Sequence, residues 1–212
     1  MVEHQGKDSG IRPVRADARR NIEAILRAAA EVFDTSGVEA PVKLIADKAG
    51  VGVGTLYRHF PQRPDLIKAI IQKEVDACAK AALDFAASEQ PVEALAKWMQ
   101  RLVDLVATKR GLGAALHSGN AAYQSLPEYV FSRLTPVLRD LLDAAEAAGS
   151  IRRDVNAKEL LIACMRVATP ASEGDIVQAR RMVALMVDGL RFTELNECDN
   201  EQPSSTSNAI RR

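Results

Sequence analysis

The stretch AGVGVGTLYRHF, residues 49–60, sets glycines at 50, 52 and 54 directly ahead of a short aromatic and basic run. Such a cluster has two physical uses. It can cradle phosphate on backbone N–H groups, or it can turn the chain between two short helices that carry a reading head into a DNA groove. A phosphate loop needs a strand before it and a long helix after it, because the helix N-terminus supplies the anion site. Here the preceding KLIADKA is a helical stripe, the spacing is G-x-G-x-G rather than G-x-G-x-x-G, and no lysine separates Gly54 from Thr55. A helix-turn-helix agrees with each local choice. Residues 42–49 form the first helix and Gly50 ends it. Gly52 lets the chain turn sharply, and Gly54 keeps the leading edge of the second helix, 53–59, small enough for close approach to a groove. Leu56 and Phe60 are expected to face the head's own core, with Thr55, Tyr57 and His59 as donors outside.

Outward from this motif the periodicity stays helical. Upstream, Ile22, Ile25, Leu26, Ala29, Val32 and Phe33 share one face, and Gly37 supplies a stop. Downstream, Pro61 breaks the short helix and Pro64 opens a fourth, whose stripe is Leu66, Ile67, Ile70, Ile71 and Val75. After SEQP at 88–91 a larger body begins with a broad apolar face from Val92 to Val106. Ser125-Leu126-Pro127-Glu128 fits a capping box, a neighbouring helix carries Val137 to Ala145 and stops at Gly149, and Asn156 caps a helix that Pro170 ends. A last helix carries Ile176 to Leu190, and residues 196–212 lack periodicity and read as a disordered tail. Strand signals and internal repeats are missing. The expected fold is all-α: an N-terminal three-helix helix-turn-helix head plus a larger helical body. The expected divisions are a disordered basic arm at 1–16, a head at 17–75 with its motif at 41–60, a body at 76–195 and the tail.

Composition narrows the function class. In 212 residues, 47% are hydrophobic and 4% aromatic, as suits a helical globular protein with a real core. Lys plus Arg and Asp plus Glu both number 28, so any basic surface is local. One lies at the start, where Arg12, Arg15, Arg19, Arg20 and Arg27 face only Asp17 and Glu23. No run approaches the length of a membrane span and the N-terminus lacks a signal-peptide core, so a cytoplasmic protein with no membrane partner is expected. Cys78, Cys164 and Cys198 are odd in number and far apart, which disfavours disulfides and zinc and suggests idle thiols. No catalytic set, metal cluster or cofactor loop emerges, so neither an enzyme nor a cofactor is expected.

Residues 19–67 resemble the DNA-binding head of the tetracycline-repressor (TetR) family of transcription regulators. The likeness rests on a first helix ending in A-x-x-x-F, the glycine at 37, I-A-x-x-A-G-V, and G-T-L-Y-x-H-F followed by a basic residue. Pro41-Val42 departs from the threonine or serine that members often have there, which removes a side-chain phosphate contact. The resemblance implies that Lys43 touches a phosphate or base, that Val53, Gly54 and Thr55 face base edges in the major groove, and that Tyr57 and His59 bind phosphate oxygens. Arg58 joins this set, and Arg63 takes the position of a frequent backbone-binding lysine. Arg12 and Arg15, on a flexible arm, would reach an adjacent minor groove.

Residues 90–195 broadly resemble the ligand-binding and dimerisation body of some members. Helices at 136–148 and 175–192 are the candidates for a four-helix homodimer interface, because their apolar faces exceed what one small body needs. A two-fold dimer sets its heads about 34 Å apart and predicts a palindromic double-stranded DNA operator. Trp98, Met99, His117, Tyr123, Met165 and Arg166 are the candidates for contact with a small-molecule effector. Arg166 stands out as a cation on an apolar helix, which would need a partner if buried. The alternative is a helical small-molecule-binding or interaction module without DNA readout, whose binding would change little with salt.

Overall fold

The computed structural model describes residues 11–107, 112–116, 118–169 and 175–191. Helices make up the fold: α1 (Ile11–Ser36), α2 (Val42–Ala49), α3 (Val53–His59), α4 (Arg63–Ser88), α5 (Pro91–Ala107), α6 (Gly113–Leu116), α7 (Leu126–Ala147), α8 (Ala157–Ala168) and α9 (Asp175–Leu190). A 3-10 turn, Ala121–Tyr123, leads into α7, and one isolated bridge joins Ile151 to Arg191. The all-α expectation holds among these residues. None of these helices is long and apolar enough to cross a membrane.

The head is α1, α2 and α3 closed by the first turns of α4. Its centre is Ile25, Ala29 and Phe33 of α1, Ile45 of α2, Leu56 of α3 and Ile67 of α4, all essentially without solvent contact. Gly50 ends α2 with φ +68°, and its N–H reaches the carbonyls of Ala46 and Asp47. That left-handed geometry is strained for any residue with a Cβ. Gly52 differs from expectation. Its φ of −69° and ψ of 145° are ordinary extended backbone, and its carbonyl accepts the first bonds of α3 from Thr55 N at 2.9 Å and Leu56 N at 3.2 Å. The turn is therefore made at Gly50, and Gly52 only starts α3.

Three boundaries also differ. Helix α1 begins at Ile11, so Arg12 and Arg15 stand on its first turns instead of on a flexible arm. Pro13 fits there because first-turn N–H groups have no helical acceptor to lose. Helix α4 runs unbroken through the expected division at 75/76. The segments at 126 and 137 are one helix, α7, with Pro136 inside it. Both Pro136 and Ser132 are exposed, so the carbonyl that the proline leaves unpaired can be hydrated. Ser125 stands at the N-cap of α7 without a side-chain bond, so the capping box is not formed. Asn156 does cap α8, accepting from Lys158 N at 3.0 Å and Glu159 N at 3.2 Å. Residues 1–10 and the tail at 196–212, with Cys198, lie outside the described residues.

The body is built around α5, which packs against α4, α7, α8 and α9. Trp98, Met99, Leu102 and Val103 of α5 are wholly buried. The Trp98 indole donates to the Cys78 carbonyl at 2.9 Å, fastening α5 to the middle of α4. Arg133 of α7 binds Asp76 of α4 at 2.8 Å on the surface. Buried residues of head and body form one continuous cluster, joined through Ile70, Ile71, Val75 and Cys78 of α4.

Candidate nucleic-acid interface and effector cavity

Helix α3 is two turns long and strictly two-sided. Leu56 and Phe60 point into the head, whereas Val53, Gly54, Tyr57 and Arg58 are exposed, Tyr57 at 50%. Positions 53, 54, 57 and 58 fall on one side because residues three and four apart share a helix face. Nothing lies within 4 Å of the place a Cβ would take at Gly54, so the leading edge of α3 is bare. Thr55 and His59 are half-buried at its flanks, and the His59 ring tilts against Phe60 at 6.5 Å.

Beside α3, Lys43 is exposed on the first turn of α2, next to Leu44 at 48% exposure, which the sequence reading did not single out. Pro41 caps α2 without any side-chain bond. Between 41 and 63 four cations, Lys43, Lys48, Arg58 and Arg63, stand against one carboxylate, Asp47. Two of the four serve the head's own frame. Lys48 binds Glu31 of α1 at 2.8 Å, and this bond, with the lysine's charge, holds the Glu31 carboxyl below the usual carboxylate range. Arg63 is half-buried, donates to the Val38 carbonyl and lies over the Phe33 ring at 5.9 Å. Arg63 is thus turned inward onto α1 and the following loop, and Lys43 and Arg58 are left as the outward cations of the motif.

In the body, a cavity of about 210 Å³ opens between α4, α7 and α8, with Ile71, Tyr123, Leu126, Val130, Phe131 and Met165 among its walls. Tyr123 and Met165, two of the side chains named as effector-contact candidates, line this cavity. Trp98 and Met99 are core filling, since both are fully enclosed by α5 packing and neither lines this cavity. Arg166 is exposed at the end of α8, which solvates its charge and removes the need for a buried partner. His117 lies outside the described residues. The sequence reading missed the α4 and α7 walls because Ile71, Val130 and Phe131 look like any core stripe. A larger open groove of about 430 Å³ beside α5 and α9 is rimmed by Lys97, Arg101, Asp104 and Arg191. Each of these is already paired, with Glu89, Glu74, Arg180 and Glu93 respectively, so the groove offers little unspent charge.

Burial pushes the Tyr123 phenol above its ordinary pKa; the nearby Arg63 guanidinium opposes that shift and the Glu39 carboxylate adds to it. Burial likewise pushes the Cys78 and Cys164 thiols up to about 12. Both should stay protonated and unreactive: native protein at pH 8 is expected to take up no more than one maleimide per chain by intact mass, rising to three in denaturant. Rapid labelling of Cys78 or Cys164 in the native state would contradict the burial.

The two-part architecture matches known proteins along its length. Residues 25–70 match the family of bacterial regulatory proteins, tetR family, and residues 90–192 match the transcriptional regulator SbtR-like, C-terminal domain. A TetR transcriptional regulator of Streptomyces coelicolor is 36% identical, with a TM-score of 0.68 over 80% of this chain and 98% of that one. The chain belongs to the TetR family. A TetR transcription regulatory protein from Mycobacterium vanbaalenii is 33% identical, at TM-score 0.68 over 85% of this chain and 100% of that one. An HTH-type transcriptional regulator of Staphylococcus aureus is 42% identical over 64 residues, which cover 30% of this chain and 35% of that relative. Membership makes the chain a DNA-binding transcription regulator.

Proposed function

We propose that this TetR-family chain is a repressor that binds a palindromic operator as a homodimer and releases it when a small molecule fills the body. The observation that carries this reading is the two-sided α3, with Val53, Gly54 and Tyr57 bare on one side and Leu56 sealed on the other. Lys43, Val53, Gly54 and Thr55 then meet base edges, Val53 by apolar contact with a thymine methyl. Tyr57, Arg58 and His59 bind phosphate oxygens and fix the register. Arg12 and Arg15 extend the basic flank along α1. Arg63, engaged with Val38 and Phe33, supports the head from within.

The homodimer is proposed to form through α9 with α8 beside it. Helix α9 leaves Val177, Met182 and Leu185 exposed on one broad side. Expected surplus on α7 is not available for this, because Leu138, Leu141, Leu142 and Ala145 are buried within the chain's own body. The outer face of α7 carries Arg139, Asp140 and Asp143 instead.

Selection of duplexes from a random pool by the purified protein tests the reading. A palindrome bound by an even number of subunits is the expected result, with affinity falling steeply as salt rises. Failure to enrich any sequence at low salt would overturn it. On the selected site, Thr55→Ala should weaken binding roughly fivefold and relax one base position, as loss of one hydrogen bond predicts. Tyr57→Phe should weaken selected and random duplexes alike.

A further inference from the structure

We propose that Arg63 is a positioning residue for DNA reading: its guanidinium binds no phosphate and instead ties the start of α4 to the turn that aims α2. This rests on the reading of Lys43 and α3 as the elements that meet DNA. Arg63 is the first residue of α4, where the Gln62 N–H donates to the Asp65 carboxylate at 3.1 Å and Pro64 restricts the backbone. From that fixed start the side chain turns inward and is half-buried. It donates to the Val38 carbonyl, and its guanidinium carbon lies 5.9 Å from the centre of the Phe33 ring. Phe33 and Val38 are both buried, so neither contact is a loose surface one.

The tether matters because of what the turn carries. Within it the Ala40 N–H donates to the Gly37 carbonyl at 3.2 Å, and at its end the Leu44 N–H donates to the Pro41 carbonyl at 3.0 Å. These bonds set where α2 starts, and Lys43 is exposed on its first turn. Arg63 also borders a void of about 10 Å³ shared with Phe33 of α1, Ile45 of α2, Leu56 and Tyr57 of α3 and Leu66 of α4. The side chain thus stands where all four helices of the head meet. A planar guanidinium bonded along one edge and laid on a ring keeps one orientation. Turning it out to a phosphate would strip a buried residue's carbonyl of this donor, which costs more than an exposed bond returns.

Arg63→Met keeps much of the stem and removes the donor and the charge. On the operator selected above it should bind about tenfold more weakly, the scale of one hydrogen bond to a charged group. Affinity for random duplex should stay within about twofold, with the native salt slope, because the phosphate contacts remain. Arg63→Lys, which keeps a donor for the Val38 carbonyl, should recover most of the loss, and Arg63→Gln repeats the comparison should Arg63→Met unfold. Equal loss on both duplexes, with a salt slope shallower by about 0.9 per contact, would make Arg63 a phosphate ligand and overturn the assignment. Native operator affinity in the neutral variants would overturn it as well. Hydrogen exchange of the free protein tests the tether without DNA: the Ala40 and Leu44 amides should exchange severalfold faster in Arg63→Met, with α5 amides at native rates. Unchanged exchange at both amides would overturn the tether. Because exchange needs no duplex, failure of the DNA-facing assignment would show separately, in the duplex selection.

Discussion

Trp98→Ala is expected to lower the unfolding free energy by about 3–5 kcal/mol, read as a lower urea midpoint at unchanged slope. Trp98 has no solvent contact, and its indole N–H is committed to the Cys78 carbonyl at the middle of α4. Truncation removes the largest side chain of the body's centre and leaves a void among α5 and the four helices packed on it. Against a typical stability of about 5–15 kcal/mol, this is a large fraction of the whole. Trp98→Phe keeps most of the volume and loses only the hydrogen bond, so it should cost about 1 kcal/mol. The pair of variants also separates packing from ligand contact. If Trp98 touched the effector, Trp98→Ala would change effector affinity while stability barely moved. A midpoint shift no larger than that of Trp98→Phe would sink the packing account.

Leu185→Asp should turn the proposed homodimer into monomers and cost about 100-fold or more in operator affinity. Leu185 is 57% exposed on α9, on the side that also exposes Val177 and Met182, and a carboxylate there would have to be desolvated when two copies pair. Two heads joined in one particle bind the second half-site at high effective concentration, and a monomer loses that gain entirely. Sedimentation velocity and operator titration would report the two effects together. Leu83→Asp on α4 is the control, since Leu83 is 71% exposed yet stands on a different helix. A variant that stays dimeric with Asp at 185 would overturn the α9 interface.

The head was legible in the sequence because its signals are local. Gly50 at the end of an apolar stripe, Leu56 and Phe60 on one face, and a bare Gly54 all depend on neighbours within a few residues. Where partners were distant, reading failed. Arg63 was assigned to DNA because it follows the motif, but Phe33 and Val38, some 25–30 positions earlier, turn it inward. The sequence left the burial of Arg166 open, and only the packing of α8 puts it in water. The segments at 126 and 137 read as two helices, and solvent exposure of the turn at Pro136 lets α7 run through both. The cavity was half legible. Tyr123 and Met165 were picked as odd side chains among alanines, whereas Ile71 and Val130 carry no mark that separates a cavity wall from a filled core.

Helix α4 has a mechanical consequence. At 1.5 Å per residue its 26 residues form a rod of about 39 Å, with the head at one end and the body along the rest. No flexible linker lies between them to absorb motion. A tilt of about 5° at the body end sweeps the far end through about 3.4 Å, the height of one base-pair step. In a two-fold assembly the two sweeps add, so a displacement too small to disturb the core would put both reading helices out of phase with the duplex.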